Sequence, residues 1–413
     1  MSGTTFYIVS LQMFNNMKKS LRRIGKILGV VAICLLAYLV YAFRFAPHLQ
    51  KIYGPDGRVK FGYDRIQGKW LFNEYQHHEL DIDGPHIFRD AQEIVYVKGS
   101  RKKYNIVSEK YAKLPDSLTC YISEEDTFRF ALQQEYHTDT CIYPMPAKLF
   151  ALSDIEGNFK AFKGLLTGNG ITDSNLSWTF GNGHLVLVGD FVDRGTEVTQ
   201  CLWLIYKLEQ EAEKQGGKVH YILGNHEALN FYGDVRYVKG KYLELARRRK
   251  MLYAQLFSTG TELGKWMRTK NTIEKIGDII FVHGGISPMV AAKGYTVPQI
   301  NAIARSYIDV PYKTIQQEDA ALLMAKKGIL WYRGLVTVYG LQKLSMVQVD
   351  DIMNRMHCKT IAVGHTVVPA VSKDFDGKVI RLNVKHASCE PEALYIENGK
   401  YYATNTKGER KPL

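Results

Sequence analysis

Val219-His220-Tyr221-Ile222-Leu223 runs without a break into Gly224-Asn225-His226-Glu227, and this junction decides the fold. The first five residues have the length and apolar character of a short buried strand. The next four suit metal and proton chemistry better than packing. Four more junctions of the same kind lie along the chain. Lys148-Leu149-Phe150-Ala151-Leu152 leads into Ser153-Asp154-Ile155-Glu156-Gly157-Asn158, and His184-Leu185-Val186-Leu187-Val188 into Gly189-Asp190-Phe191-Val192-Asp193-Arg194-Gly195. Asp278-Ile279-Ile280-Phe281-Val282 leads into His283-Gly284-Gly285, and Lys359-Thr360-Ile361-Ala362-Val363 into Gly364-His365-Thr366. One His or Asp after a strand is usually a satisfied loop residue. Five in series are hard to explain as turns.

In a mostly parallel α/β sheet the loops leaving the carboxyl ends of the strands converge on one edge, so residues far apart in sequence can share one cluster. Val198, Cys201, Leu202, Ile205 and Leu208 recur at helical spacing between the second and third strings, giving the crossover helix that a parallel pair needs. The chemistry that such a cluster suits is a two-metal hydrolytic site.

In order, Asp-x-x-Gly-Asn, Gly-Asp-x-x-Asp-Arg-Gly, Gly-Asn-His-Glu, His-Gly-Gly-Ile-Ser-Pro and Gly-His-Thr resemble the calcineurin-like metallophosphoesterases. Within them the chain looks most like the bacterial phosphoprotein-phosphatase (serine/threonine phosphatase) branch. Residues 224–238 and 276–288 extend the likeness, which covers roughly residues 147–385. The resemblance implies a four-layer α-β-β-α sandwich: two mixed sheets face to face, helices outside and metals at one rim.

Carried onto this chain, the resemblance implies that Asp190 bridges two divalent ions about 3.5 Å apart. Asp154 holds the first ion, and Asn225, His283 and His365 hold the second. A water activated by both ions makes the in-line attack on the phosphate ester. Arg194 and Arg333 clamp the phosphoryl oxygens, since a planar guanidinium matches them bidentately. His226 is the general acid for the leaving alcohol, oriented by Asp193.

One position departs from the family pattern. Where the family has Asp-x-His-Gly, this chain has Asp154-Ile155-Glu156-Gly157. As a ligand, Glu156 would give the first ion an oxygen in place of an imidazole nitrogen, which favours Mn²⁺ or Mg²⁺ over Zn²⁺. Mn²⁺ is the expected metal, with Fe, Zn and Mg open. Otherwise Glu156 makes only a loop hydrogen bond. His386, following Val379-Ile380-Arg381-Leu382-Asn383-Val384, is a further candidate ligand for the weakened first position.

The amino terminus carries a different signal. Lys18, Lys19, Arg22, Arg23 and Lys26 precede an uncharged stretch, Ile27 to Phe43. This reads as a basic cytoplasmic segment, residues 1–26, followed by a transmembrane anchor or signal segment at 27–43. Positive flanking would retain the amino terminus and place the catalytic domain on the extracytoplasmic, periplasmic side. Cleavage near Val40-Tyr41-Ala42 would instead release a periplasmic or secreted protein.

Residues 48–146 read as a small β-rich appendage, with runs at Glu93 to Val97, Tyr104 to Val107, Leu118 to Ile122 and Thr127 to Leu132. Pro144 and Pro146 mark its boundary with a catalytic domain at 147–405. Within that domain, 229–277 form a helical cap insertion with Asp234 and Arg236 near the mouth. Glu397-Asn398-Gly399-Lys400 signals a hairpin. Cys120 and Cys141 could pair in an oxidising compartment.

The formal charge of +13 includes six cations within residues 1–44, leaving +7 on the rest. A basic field attracts phosphorylated substrates and anionic lipid alike. Arg247-Arg248-Arg249-Lys250 has no aromatic interleaving, so no nucleic-acid partner is expected. Three functions follow: a phosphomonoesterase acting on phosphorylated protein or small phosphate esters, a dinucleoside polyphosphate hydrolase, and a catalytically attenuated envelope binding protein.

Overall fold

The computed structural model describes residues 3–45, 52–54, 57–64, 69–100, 103–336 and 343–413, in two units, residues 1–52 with 59–74 and residues 53–58 with 75–413. The smaller unit holds helix α1 (Gly3–Phe45) and an antiparallel hairpin. Strand β1 (Ile52–Tyr53) follows α1 in sequence, and the hairpin pairs β2 (Val59–Asp64) with β3 (Lys69–Leu71).

Residues 27–43 are thus part of one 43-residue helix that also carries the five cations before them. Among the described residues no helix is long and apolar enough to cross a membrane, which corrects the expected transmembrane segment and its membrane partner. The apolar run is the physical reason. Its seventeen residues rise only about 25 Å, short of a hydrocarbon core of about 30 Å. The side chains of residues 39–43, with the expected cleavage site, lie outside those described.

In the larger unit the β-rich runs form as expected. Strands β4 (Asp83–Phe88), β5 (Glu93–Ser100) and β6 (Lys103–Lys110) make an antiparallel sheet, and β7 (Ser117–Tyr121) pairs with β8 (Thr127–Ala131). Strand β9 (Ile142–Tyr143) joins a core sheet. These strands share one hydrophobic core with the catalytic body. Phe130 stacks on Trp203 at 4.3 Å, and the Trp203 indole donates to the Pro85 carbonyl at 2.9 Å.

The first core sheet begins with three parallel strands, β10 (Lys148–Leu152), β11 (His184–Val188) and β12 (Lys218–Ile222). Helices α2 (Phe159–Gly168) and α3 (Val198–Lys214) make the crossovers, and α4 (Asn225–Tyr232) follows β12 directly. The cap region contributes α5 (Gly240–Arg248) and α6 (Glu262–Met267). The second sheet runs β13 (Ile273–Ile276), β14 (Ile279–Val282), β15 (Thr360–Val363), β16 (Ser372–Asp374) and β17 (Val379–Arg381). Between β14 and β15 the chain forms α7 (Pro288–Ala292), α8 (Val297–Tyr307), α9 (Glu318–Met324) and α10 (Met346–Met356). The chain ends in β18 (Glu392–Glu397), β19 (Lys400–Asn405) and β20 (Arg410–Pro412).

Strand order is β12-β11-β10-β18-β19-β20 in one sheet and β16-β17-β15-β14-β13-β9 in the other. Alternation along the central strands gives each of them two apolar faces. Leu149, Ala151, Val186 and Val188 meet Ile279, Phe281, Ala362 and Ile380 between the sheets. Their neighbours Phe150, Leu152, Leu185 and Leu187 face the helices outside. With both faces buried, these central strands are mostly hydrophobic, and the parallel strands β10, β11, β12, β14 and β15 bring their carboxyl ends to one rim. The β18–β19 turn forms as expected, with Asn398 at φ 51° and Gly399 at 77°.

The pairing of Cys120 with Cys141 is corrected: both are free thiols. Cys120 sits on β7 near Cys201 and Asp83, whereas Cys141 precedes β9 beside Asn301 and Arg305.

Candidate active site

Each strand end turns sharply into its functional string, and the backbone records the cost. Asp154, Glu156, Asp190, Asp193, Arg194 and His365 all adopt positive φ, between 50° and 69°. They are six of the fourteen non-glycine residues with positive φ among those described. Such strain persists where the surroundings over-determine it, and it collects at functional sites. Two glycines permit the crowding. A Cβ on Gly224 would lie 2.3 Å from Asp190 Oδ1, and one on Gly364 would lie 2.7 Å from Asp154 Oδ2.

Asp190, His283 and His365 bring three potential donor atoms within 4.8 Å of one another, all buried. His283 Nδ1 donates to the Val188 carbonyl at 2.8 Å, which directs Nε2 to Asp190 Oδ2 and Asn225 Oδ1, each 3.0 Å away. Burial would lower the His283 pKa, but Asp190 raises it to about 9. His283 and His226 in turn outweigh burial at Asp190 and hold its carboxyl below the ordinary range. His365 Nε2 is buried with no hydrogen-bond partner. The orphaned His365 nitrogen, His283 Nε2, the Asn225 amide oxygen and the Asp190 carboxylate make a donor set that fits a divalent cation. Asp190, Asn225, His283 and His365 are thus brought together as the resemblance implied for the second ion.

The first position is built differently. Asp154 accepts from Ser153 Oγ at 2.5 Å, from the His365 backbone N–H at 3.0 Å and from Asn383 Nδ2 at 2.7 Å. Burial pushes its carboxyl up to about 6; His283 pulls against that rise and Asp190 adds to it. Glu156 is ion-paired with the Arg194 guanidinium. Neither carboxylate belongs to the cluster of Asp190, His283 and His365.

Proton chemistry is arranged beside that cluster. Asp193 Oδ2 holds His226 Nδ1 at 2.6 Å, and Asn230 Nδ2 donates to Asp193 Oδ1 at 3.0 Å. Burial would lower the His226 pKa, but Asp190 and the bond to Asp193 raise it above the ordinary value. The Tyr237 ring, from the cap, lies 4.8 Å from the His226 ring.

Two guanidinium groups complete the site. Arg194 sits over the Tyr237 ring at 5.1 Å, and its backbone N–H donates to the Tyr237 carbonyl at 2.9 Å. Arg333 Nη1 donates to the His365 carbonyl at 2.9 Å and to Thr366 Oγ1 at 3.1 Å. The cap residues Asp234 and Arg236 pair with each other at 2.7 Å.

Sequence reasoning missed four contributors. The buried Glu227 carboxylate accepts from the backbone N–H groups of Asp190 (2.9 Å), Phe191 (2.8 Å) and Gly224 (2.7 Å), tying two strand-end loops together. Its place in Gly-Asn-His-Glu was the available signal. Asn230, four residues after His226 on α4, was readable from helical spacing. Tyr237 and Asn383 gave no signal, because their contacts depend on how the cap and β17 pack.

Comparison with known proteins agrees with this geometry. The calcineurin-like phosphoesterase family matches residues 147–369. The chain is 26% identical over 299 residues to Shewanella-like protein phosphatase 2 of Arabidopsis thaliana, covering 62% of this chain and 72% of that one. It is 28% identical over 228 residues to Shewanella-like protein phosphatase 1 of Plasmodium berghei, covering 54% and 62%. A crystal structure of the cold-active protein-tyrosine phosphatase of a psychrophilic Shewanella superposes with a TM-score of 0.73 at 30% identity, over 81% of this chain and 99% of that one. The chain belongs to the calcineurin-like phosphoesterase family, in its phosphoprotein-phosphatase branch, and is a phosphoric ester hydrolase.

Proposed function

We propose that this protein is a metal-dependent phosphomonoesterase acting on phosphorylated protein. The observation that carries this reading is the His226–Asp193 pair at 2.6 Å, seated against the cluster of Asp190, His283 and His365. A buried acid with a raised pKa beside a cation-binding cluster suits protonation of an alcohol leaving group. The phosphatase names of the relatives support a protein substrate.

Asp190, Asn225, His283 and His365 would hold one divalent ion, and Asp154 would help to hold a second. When bound, such ions polarise the phosphoryl oxygens and acidify water. Arg194 and Arg333 bind the phosphoryl oxygens and orient the ester. His226 holds its proton on Nε2, because Nδ1 is committed to Asp193, and delivers it to the departing oxygen. Mn²⁺ is the proposed activator, as the Asp154 and Asp190 carboxylates and the Asn225 amide oxygen offer hard oxygen donors.

The test compares phosphate release from phosphoserine, phosphothreonine and phosphotyrosine peptides, para-nitrophenyl phosphate and diadenosine tetraphosphate, after chelation and with Mn²⁺, Mg²⁺ or Zn²⁺ restored. Metal-dependent turnover of the phosphopeptides is the expected result. Preferential cleavage of diadenosine tetraphosphate would replace this reading, and no turnover of any ester in the metal-loaded protein would refute it.

A further inference from the structure

Among the described residues two histidine nitrogens are buried with no hydrogen-bond partner, His365 Nε2 and His386 Nδ1. The first belongs to the cluster described above. The second has no part in it. His386 is only 6% exposed and follows β17, and its Nε2 lies 3.0 Å from the Ser153 carbonyl. A carbonyl only accepts, so Nε2 carries the proton and Nδ1 presents a lone pair. His283 is held in the same way with its nitrogens exchanged, Nδ1 donating to the Val188 carbonyl while Nε2 faces the site. Val188 ends β11, and Ser153 directly follows the neighbouring strand β10. An imidazole that gives one N–H to a backbone carbonyl and keeps the other nitrogen bare is arranged as metal-ligating histidines are.

His386 lines a cavity of about 290 Å³ together with Asp154, Glu156, Arg194 and Asn383. Leaving a buried polar nitrogen unpaired is costly, so the site favours an occupant that meets it. An anionic phosphate oxygen would face a lone pair with a lone pair. A cation, shared with the Asp154 carboxylate, meets both groups. Glu156, meanwhile, is engaged by Arg194.

We infer that His386 is the imidazole ligand of the first ion position, standing in for the histidine that Glu156 replaces, while Glu156 remains the partner of Arg194. The inference rests on the metal-dependent reading of the same site. His386 lies outside the 4.8 Å cluster of Asp190, His283 and His365, as does Asp154, the carboxylate with which it lines the cavity.

The test titrates the chelated full chain with Mn²⁺ by calorimetry and elemental analysis. The wild-type chain should take up two ions. His386→Ala should keep one at unchanged affinity and bind the other at least ~10-fold more weakly, whereas Glu156→Gln should keep both. Two ions bound by His386→Ala with wild-type affinities would overturn the inference, as would loss of the first ion in Glu156→Gln in its place. Pulsed EPR of the Mn²⁺-loaded wild-type chain counts coordinated imidazoles without depending on any variant's folding: three support the inference and two overturn it. A chain that binds both ions through three imidazoles yet releases no phosphate would refute the proposed function and leave this ligand standing.

Discussion

His226 Nδ1 lies 2.6 Å from Asp193 Oδ2, and this bond leaves Nε2, 3.8 Å from Asp190 Oδ2, as the nitrogen that faces the site. A histidine held this way can deliver one proton in one direction. Replacing it with Asn keeps a side chain of similar polarity but removes the acid. His226→Asn should lower kcat by ~10²–10⁴-fold on alkyl phosphates. Phenolic esters need less protonation, so the loss on para-nitrophenyl phosphate should be smaller. Equal losses on both, with metal content unchanged, would remove His226 from this role.

The same pair sets a pH limit. Burial acts to lower the His226 pKa, while Asp190 and the bond to Asp193 raise it above the ordinary value. A raised pKa keeps the acid protonated to higher pH, so the alkaline limb of kcat lies higher than an isolated imidazole would place it. Asp193→Asn removes one of the raising partners. The limb governed by His226 should therefore move to lower pH, measured as kcat against pH on an alkyl phosphate. A limb that stays in place would assign that titration to another group.

Glu227 makes a third prediction, on stability. Its carboxylate accepts from three backbone N–H groups and from the Tyr221 hydroxyl at 3.0 Å, all buried. Glu227→Gln turns one accepting oxygen into an NH₂ that must face donors. Each buried N–H left unmatched costs roughly 1–3 kcal/mol, so unfolding in urea should show about 3 kcal/mol lost. The loops tied by Glu227 carry Asp190 and Asn225, so ion affinity should fall with it. A variant of wild-type stability and metal content would mean that the loops hold their shape without this carboxylate.

Much of this candidate site was legible because its residues sit at strand ends. Apolar pentads followed by Asp154, Asp190, Asn225, His283 and His365 announce both the parallel strands and the rim where they meet. What stayed hidden is whatever depends on three-dimensional packing between distant strings. The ion pair of Glu156 with Arg194 joins two loops 38 residues apart in sequence, and nothing in Asp-Ile-Glu-Gly says whether its carboxylate turns to an ion or to a guanidinium. The Cys120–Cys141 expectation failed for the same reason, since spacing cannot tell which side of the fold a residue faces. The apolar stretch at 27–43 misled because seventeen uncharged residues match only a thin or locally deformed bilayer, and among the described residues no helix is long and apolar enough to cross a membrane.

The ion pair of Glu156 and Arg194 yields the last prediction. If Glu156 positions the guanidinium that grips phosphate, breaking the pair while keeping the side chain's shape should weaken substrate binding without removing any group that reacts. Both partners are partly exposed, Arg194 at 45% and Glu156 at 25%, so the pair is worth at most ~1 kcal/mol. That ceiling corresponds to about a fivefold effect. Glu156→Gln should therefore raise KM for phosphate esters, and the inhibition constant for inorganic phosphate, by up to ~5-fold, with kcat changed less. Arg194→Ala removes the grip itself and should cost more, through both KM and kcat, because the transferring phosphoryl group loses a charge-assisted bidentate partner. The two lesions share one pathway, so adding Glu156→Gln to Arg194→Ala should cost little further. If instead Glu156→Gln lowers kcat strongly, changes metal preference and acts additively with Arg194→Ala, its carboxylate serves the first ion and the pairing with Arg194 is incidental.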